Sequence, residues 1–215
     1  KQYGVPWGYY QWGVYYRKDL FDQLGLNVPR DWDEFKWVCA MLKKNGITPI
    51  TIGTKYLWTA GGWFDYLNLR INGYQFHMDL TAGKVSYEDP RLDAVFDHWR
   101  ELIDPGYFLE DHASFSWQDA QAPQINGEAA MYLIGNFYVP TFEAAGIGDQ
   151  MDFFQFPTIY EGVGVAEDAP TDTMHIPSGA KNVEDAKKFL AFMSNKEAAT
   201  NWAKMGGMLS PNKYA

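Results

Sequence analysis

YGVPWGYYQWGVYYRKDLFDQLGL, Tyr3 to Leu26, sets the reading of the whole chain. Seven aromatic residues fall between Tyr3 and Tyr16, interleaved with Gly4, Gly8 and Gly13. The run then changes character. Arg17, Lys18 and Asp19 lead into Leu20, Phe21 and Leu24 at helical spacing, and Gly25 stops them. Successive side chains of a strand point to opposite faces, so Trp7, Tyr9, Tyr10 and Trp12 cannot all share one interior. Some of these rings are expected to line a surface or a cleft. The plainer alternative is an aromatic-rich strand pair shared between two packed layers.

Working outward, the 215 residues are 47% hydrophobic and 21% charged, enough for a core and for two lobes. The aromatic share of 17% is the unusual figure. A formal charge of −9 repels phosphate backbones, and no Lys/Arg cluster offsets it, so no nucleic-acid partner is expected. No apolar run reaches the length of a membrane span. The one cysteine, Cys39, can form no internal disulfide and belongs to no zinc pattern. A lone thiol fits a reducing compartment, and equally an exported protein that does without disulfides. No signal-peptide pattern opens the chain, which starts at Lys1 without Met and ends in SPNKYA straight after a helix. It reads as an internal piece of something longer.

Helices and strands alternate. Asp31 is a good N-cap with Glu34 three residues on, and Phe35, Val38, Met41 and Leu42 follow at helical spacing to Gly46. Ile47–Gly53 reads as a short β segment that Pro49 keeps at an edge or entry. Gly61 and Gly62 break the next segment early, and its later part is expected to be helical up to Gly73. Gly83-Lys84 reads as a turn before an extended Val85-Ser86-Tyr87. Asp89-Pro90 opens the clearest helix, with Leu92, Val95, Phe96, Trp99, Leu102 and Ile103 on one stripe. Ala129–Gly135 is apolar except at Tyr132, as expected of a strand buried on both faces. Met151–Ile159 and Met174–Pro177 read as strands, Asn182 as a helix cap, and Ser194 with Glu197 as another capping box. The class is α/β.

Motifs of enzymes are missing from the sequence. There is no G-x-x-x-x-G-K and no G-x-S-x-G, and the four histidines form no H-E-x-x-H. Cys39 sits mid-helix, where a small buried thiol is expected. No metal or cofactor is expected. The enzymatic alternative is a glycoside hydrolase, which needs two carboxylates flanking a bond. Asp65, Asp119, Glu128 and Asp172 supply acids, but nothing in the sequence pairs two of them. A third reading is an interaction module with an aromatic patch.

Taken together the motifs resemble the family-one extracellular solute-binding proteins of bacterial ABC importers, the group that includes maltose-binding protein. YGVPWGYYQWGVYYRKDLFDQLGL is similar to that family's hinge-crossing strand and its YY-x-K-D-L-F helix. VPRDWDEFKWVCAMLKKNGITPITIG resembles its P-x-T-W-D-E-F…L-K-x-x-G-I-x-P-I-x-I-G, with Asp31 where Thr is usual. NGEAAMYLIGNF is similar to its G-x-A-A-M-x-x-x-G-x-W, with Phe137 where Trp is common, and IPSGAKNVEDAKKFLAFMSNKEA resembles a helical segment after a second crossover.

The resemblance implies a periplasmic-binding-protein-like fold of class II, a three-layer α/β lobe, here an incomplete piece covering mostly the C-terminal lobe. It implies a hinge strand at 1–11, most of the ligand-binding lobe at 12–154, elements at 155–205 that rejoin the first lobe, and a return segment at 206–215. It further implies a non-catalytic clamp closing on a sugar or oligosaccharide, a membrane permease as partner, and an exported location in the periplasm or on the outer face. Trp7, Tyr10, Trp12 and Trp58 are the expected stacking rings. Tyr9 points to either side of its strand. Asn136 and Phe137 follow the carboxyl end of a strand, where ligands sit in open α/β sheets. Asp65 and Arg70 are candidates for sugar hydroxyls, and the alternative for them is a surface ion pair. Trp63 and Trp117 are open between core and cleft. A solitary lobe is expected to expose aromatic surface and self-associate.

Overall fold

The computed structural model describes residues 3–214. Lys1, Gln2 and Ala215, at the ends of the expected 1–11 and 206–215 segments, lie outside the described residues. In chain order the strands are β1 (Val5–Tyr9), β2 (Trp12–Arg17), β3 (Thr48–Ile50), β4 (Ala129–Gly135), β5 (Met151–Phe154) and β6 (Thr171–Met174). The helices are α1 (Lys18–Leu24), α2 (Trp32–Lys44), α3 (Trp58–Ile71), α4 (Gly73–Thr81), α5 (Asp93–Ile103), α6 (Gln121–Ile125), α7 (Val139–Ala144), α8 (Val183–Met193) and α9 (Lys196–Gly206). The chain divides into two compact units. The larger holds Gly13–Ile134 and Ala145–Asp168; the smaller holds Lys1–Trp12, Gly135–Ala144 and Ala169–Ala215.

The sheet of the larger unit runs β3-β4-β2-β5, with β3 parallel to β4 and β2 antiparallel to β5. Every residue of β4 is buried, which is why its sequence can be apolar on both faces. Gln124 ties the centre of the sheet: its Nε2 donates to Tyr15 O (2.9 Å) on β2 and to Ala130 O (3.1 Å) on β4. Arg17 ends β2 inside the unit, donating from Nη1 to Gln124 O and Ile125 O and from Nε and Nη2 to Asp19. Aromatic rings fill the core around Phe156, which meets Trp32, Phe35, Trp63 and Tyr66.

Local chemistry starts and stops these elements. Asp31 accepts from Glu34 N (2.9 Å) at the head of α2. The Glu34 carboxylate reaches back to Arg30 N (2.8 Å) and to the Arg30 guanidinium, which hold it down at about 2. Gly25 ends α1 with φ 64°, a left-handed turn that glycine adopts without steric cost.

In the smaller unit β1 pairs antiparallel with β6, Val5 opposite Met174 and Tyr9 opposite Thr171. Tyr9 and Leu209 exchange two backbone hydrogen bonds (3.2 and 2.8 Å). His175 anchors the start of β1: Nδ1 donates to Tyr3 O (2.8 Å), leaving Nε2 to accept from Thr173 Oγ1 (2.7 Å).

Several expected boundaries shift. The strand expected at Met174–Pro177 lies three residues earlier, because β1 pairs with Thr171–Met174. The strand from Met151 stops at Phe154, the last residue opposite β2. Val85–Tyr87 is irregular backbone leading into a turn, with no partner strand among the described residues. The helix after Asp89 opens with a 3-10 turn, Pro90–Leu92, before α5. On α5 only Val95 and Leu102 are buried, and Phe96 and Ile103 face outward. The cap of α9 is Asn195, which accepts from Ala198 N (2.8 Å), while Ser194 Oγ donates back to Leu190 O.

Candidate functional site

In the smaller unit the strand-end residues meet the aromatic stretch. Tyr10 and Phe137 pack edge to face, with ring centroids 5.2 Å apart. The Tyr10 hydroxyl donates to Asp172 Oδ1 at 3.4 Å, and Tyr10 N donates to Pro170 O at 3.3 Å. Asn136 N donates to Gln11 O (2.9 Å), joining the end of β4 to the residue after Tyr10. Asn136 Oδ1 is buried with no hydrogen-bond partner among the described residues, an acceptor that native structures seldom leave unused. Trp7 lies 4.3 Å from Trp202, so one indole is already in contact with another. Trp7, Tyr9, Tyr10, Asn136 and Phe137 are all half-buried, neither core nor free surface.

In the larger unit a second aromatic group stands at the head of α3. Thr54 N donates to His112 O (2.9 Å), Thr54 Oγ1 and His112 Nδ1 are 2.7 Å apart, and Lys55 N donates to Phe115 O (3.0 Å). These bonds lay residues 53–55 against residues 112–116. The approach is so close that a Cβ on Gly53 would stand 2.0 Å from Ser116 O, so only glycine fits. The chain then turns through Leu57, whose φ of 63° is uncommon for a residue with a side chain. That turn presents Tyr56, Leu57 and Trp58 to solvent; Trp58 is 39% exposed and meets Trp117 edge to face at 6.0 Å. Trp117 is half-buried, which leaves part of the pair open.

Three expected site residues are corrected by burial. Trp63 is 0% exposed and sits against Phe35, Phe108 and Phe156, so it has no ring face to offer. Arg70 is 2% exposed and is saturated by groups of its own unit. Its ion-pair partner is Glu167, not Asp65. Trp12, at 5% exposed, belongs to the core. Asp65 is half-buried, 3.9 Å from His77 Nδ1. Burial pushes its carboxyl above the usual range, His77 pulls it down, and the Asp168 charge pushes it up. Asp168 is likewise pushed up, first by burial.

Two of the other acids have visible partners, Asp172 with the Tyr10 hydroxyl and Asp119 with Ser116. Asp119 accepts from Ser116 N (2.9 Å) and Oγ (2.6 Å), which hold its carboxyl below the usual range. Cys39 is fully buried, and burial pushes its thiol well up. Sequence reasoning missed Asp172 as the partner of Tyr10, Trp202 as the partner of Trp7, and Tyr56 as an exposed ring. Only Tyr56 carried a signal, its place beside Trp58.

Residues 1–200 match the family model described as bacterial extracellular solute-binding protein. The chain belongs to that family. Among these solute-binding proteins it is 30% identical over 216 residues to an uncharacterized ABC transporter extracellular-binding protein of Pyrococcus horikoshii, covering 99% of this chain and 48% of the relative. It is 26% identical over 212 residues to the multiple sugar-binding protein of Streptococcus mutans, covering 96% and 50%. Among solved structures, the bacterial solute receptor AcbH is 35% identical with a TM-score of 0.85, over 98% of this chain and 56% of the receptor. That receptor is described as having an exclusive preference for β-D-galactopyranose. A chitin oligosaccharide binding protein, 24% identical, shares the fold with a TM-score of 0.89, over 99% of this chain and 55% of its own. The chain thus spans about half the length of the curated relatives it matches. Its mixed α/β fold is that of periplasmic-binding-protein-like structures.

Proposed function

We propose that this chain is part of a sugar receptor of a bacterial ABC importer. The receptor binds a sugar or oligosaccharide without altering it, outside the cytoplasmic membrane, and hands it to a membrane permease. The observation that carries the reading is the partly open Trp58–Trp117 pair, with Trp58 presented by the left-handed turn at Leu57, in a member of this family. Tyr10, Phe137 and Asp172 supply a second set of ring and polar groups. A sugar offers apolar C–H faces and a rim of hydroxyls, and rings with nearby carboxylate and amide groups suit both. Covering about 100 Å² of ring and sugar surface is worth roughly 2.5 kcal/mol at about 25 cal/mol per Å². Two or three such contacts, with paired hydroxyls, reach about −8 kcal/mol, or micromolar affinity, after association costs.

The test uses the protein expressed from its complete reading frame. It is titrated with D-galactose, raffinose, mannobiose and chitin oligosaccharides, following heat and tryptophan fluorescence. Binding near the micromolar range is expected for at least one of them, with no reducing sugar released. Trp58→Ala is expected to weaken that binding about tenfold or more. Silence with every sugar, or release of reducing ends, would overturn the reading.

A further inference from the structure

The deepest charged residue among those described is Arg70, on α3. Its Nε and Nη2 both donate to Phe156 O (3.1 Å each), Nη1 donates to Ala166 O (2.5 Å), and Nη2 meets Glu167 Oε1 at 2.5 Å. The neighbouring Tyr66 completes the arrangement. Its hydroxyl donates to Glu167 Oε2 (3.0 Å) and accepts from Asp168 N (3.4 Å). Every one of these groups lies in the larger unit, and Asp168 is the last residue before the chain enters the smaller one. The three residues that lead out are therefore gripped one after another: the Ala166 carbonyl, the Glu167 carboxylate and the Asp168 amide. The guanidinium has a reason to be an arginine. It serves three acceptors on two chain segments through a flat fork, and an ammonium, as a single point of charge, cannot span them.

We propose that Arg70 is a positioning residue: with Tyr66 it fixes the place and direction in which the chain leaves the larger unit, and so governs sugar affinity without touching sugar. This rests on the receptor reading above. A receptor that closes on its ligand pays the cost of ordering the path between its parts, and a path fastened beforehand lowers that cost. Two residues past Asp168 the same path supplies Pro170 O to Tyr10 N, and two further on Asp172 to the Tyr10 hydroxyl. A loosened exit therefore reaches the Tyr10 group along the backbone.

The experiment uses the complete receptor, as wild type, Arg70→Lys and Glu167→Gln. Truncation of Arg70 to an apolar residue is avoided, since it leaves the half-buried Glu167 without its counter-charge and three acceptors without their donor. Hydrogen exchange is read without ligand at the amides of 166–169 and, as control, at β4. Affinity is read by calorimetry for the sugar of the four above that binds the wild type. Arg70→Lys is expected to speed exchange at 166–169 at least tenfold with β4 unchanged, and to weaken sugar binding at least fivefold. Unchanged exchange at 166–169, equal acceleration at β4, or an affinity within twofold of wild type would overturn the proposal. Should no sugar bind the wild type, the receptor reading fails by itself. The clamp is then judged by exchange together with small-angle scattering, where an unaltered distribution of sizes in Arg70→Lys overturns it.

Discussion

Asp65 shows how one residue acquires a pH signature from its surroundings. Its carboxyl is raised by burial and by Asp168, against the pull of His77. A carboxyl raised in the fold favours folding while protonated. That contribution is fully present below its ordinary value of 3.8 and is lost as pH rises through the raised folded value. Above its raised value the native protein therefore carries the Asp65 charge at a cost. Asparagine has the same shape and no charge to desolvate. Asp65→Asn is expected to raise the urea midpoint at about pH 7, with the gain shrinking toward zero by about pH 4. Carboxyls held low elsewhere, such as Asp89 and Asp19, set the general loss of stability in acid, but they are common to both proteins and cancel in the difference. A gain that grew in acid would mean that the His77 attraction dominates.

Elements follow from the sequence where a local rule agrees with packing. Helix α2 is the example: Asp31 caps it, Glu34 closes on the preceding turn, and Phe35, Val38 and Leu42 are buried. Replacing Asp31 by Ala is expected to cost about 1 kcal/mol, read as a lower urea midpoint with unchanged slope. Strand β4 was legible for a similar reason, since seven buried positions need apolar residues on both faces. Helix α3 was not legible at its start. It runs from Trp58 through Gly61 and Gly62, and tertiary packing around the buried Thr59, Gly62 and Trp63 overrides the weak helix propensity of glycine. Helix α4 was missed because Gly73, at φ 81°, breaks the chain into a new helix where the pattern suggested an end. The candidate site was legible in part. Aromatic crowding marked Trp58 and Tyr10, and the strand-end position marked Phe137, but crowding could not separate Trp58 from Trp63, which differs in what packs over it. The Arg70–Glu167 pair spans 97 residues, and no local spacing announces it.

At the scale of the molecule, each unit leaves some large apolar side chains exposed. The larger unit closes an aromatic core around Phe156. The smaller unit leaves Phe189 (57%) and Phe192 (61%) exposed on α8, a helix with no buried residue, and Met205 exposed on α9. Phe189 and Phe192 are three positions apart, so they share one face and add up to a patch instead of scattered rings. Their ionic neighbours on the helix, Lys187–Glu184 and Lys188–Asp185, are exposed pairs that contribute little and do not cover the rings. Water-exposed aromatic area of this kind is removed most readily by a second copy of the same face. The 215-residue chain is therefore expected to self-associate as its concentration rises, by light scattering coupled to size exclusion, and Phe189→Ser with Phe192→Ser to suppress it. The curated relatives are about twice as long; a protein of that length has further chain available to cover the same face, and the protein expressed from its complete reading frame is expected to stay monomeric at equal concentration. A 215-residue chain that remained monomeric throughout, or a double variant that associated as strongly as its parent, would mean that the α8 face does not drive association.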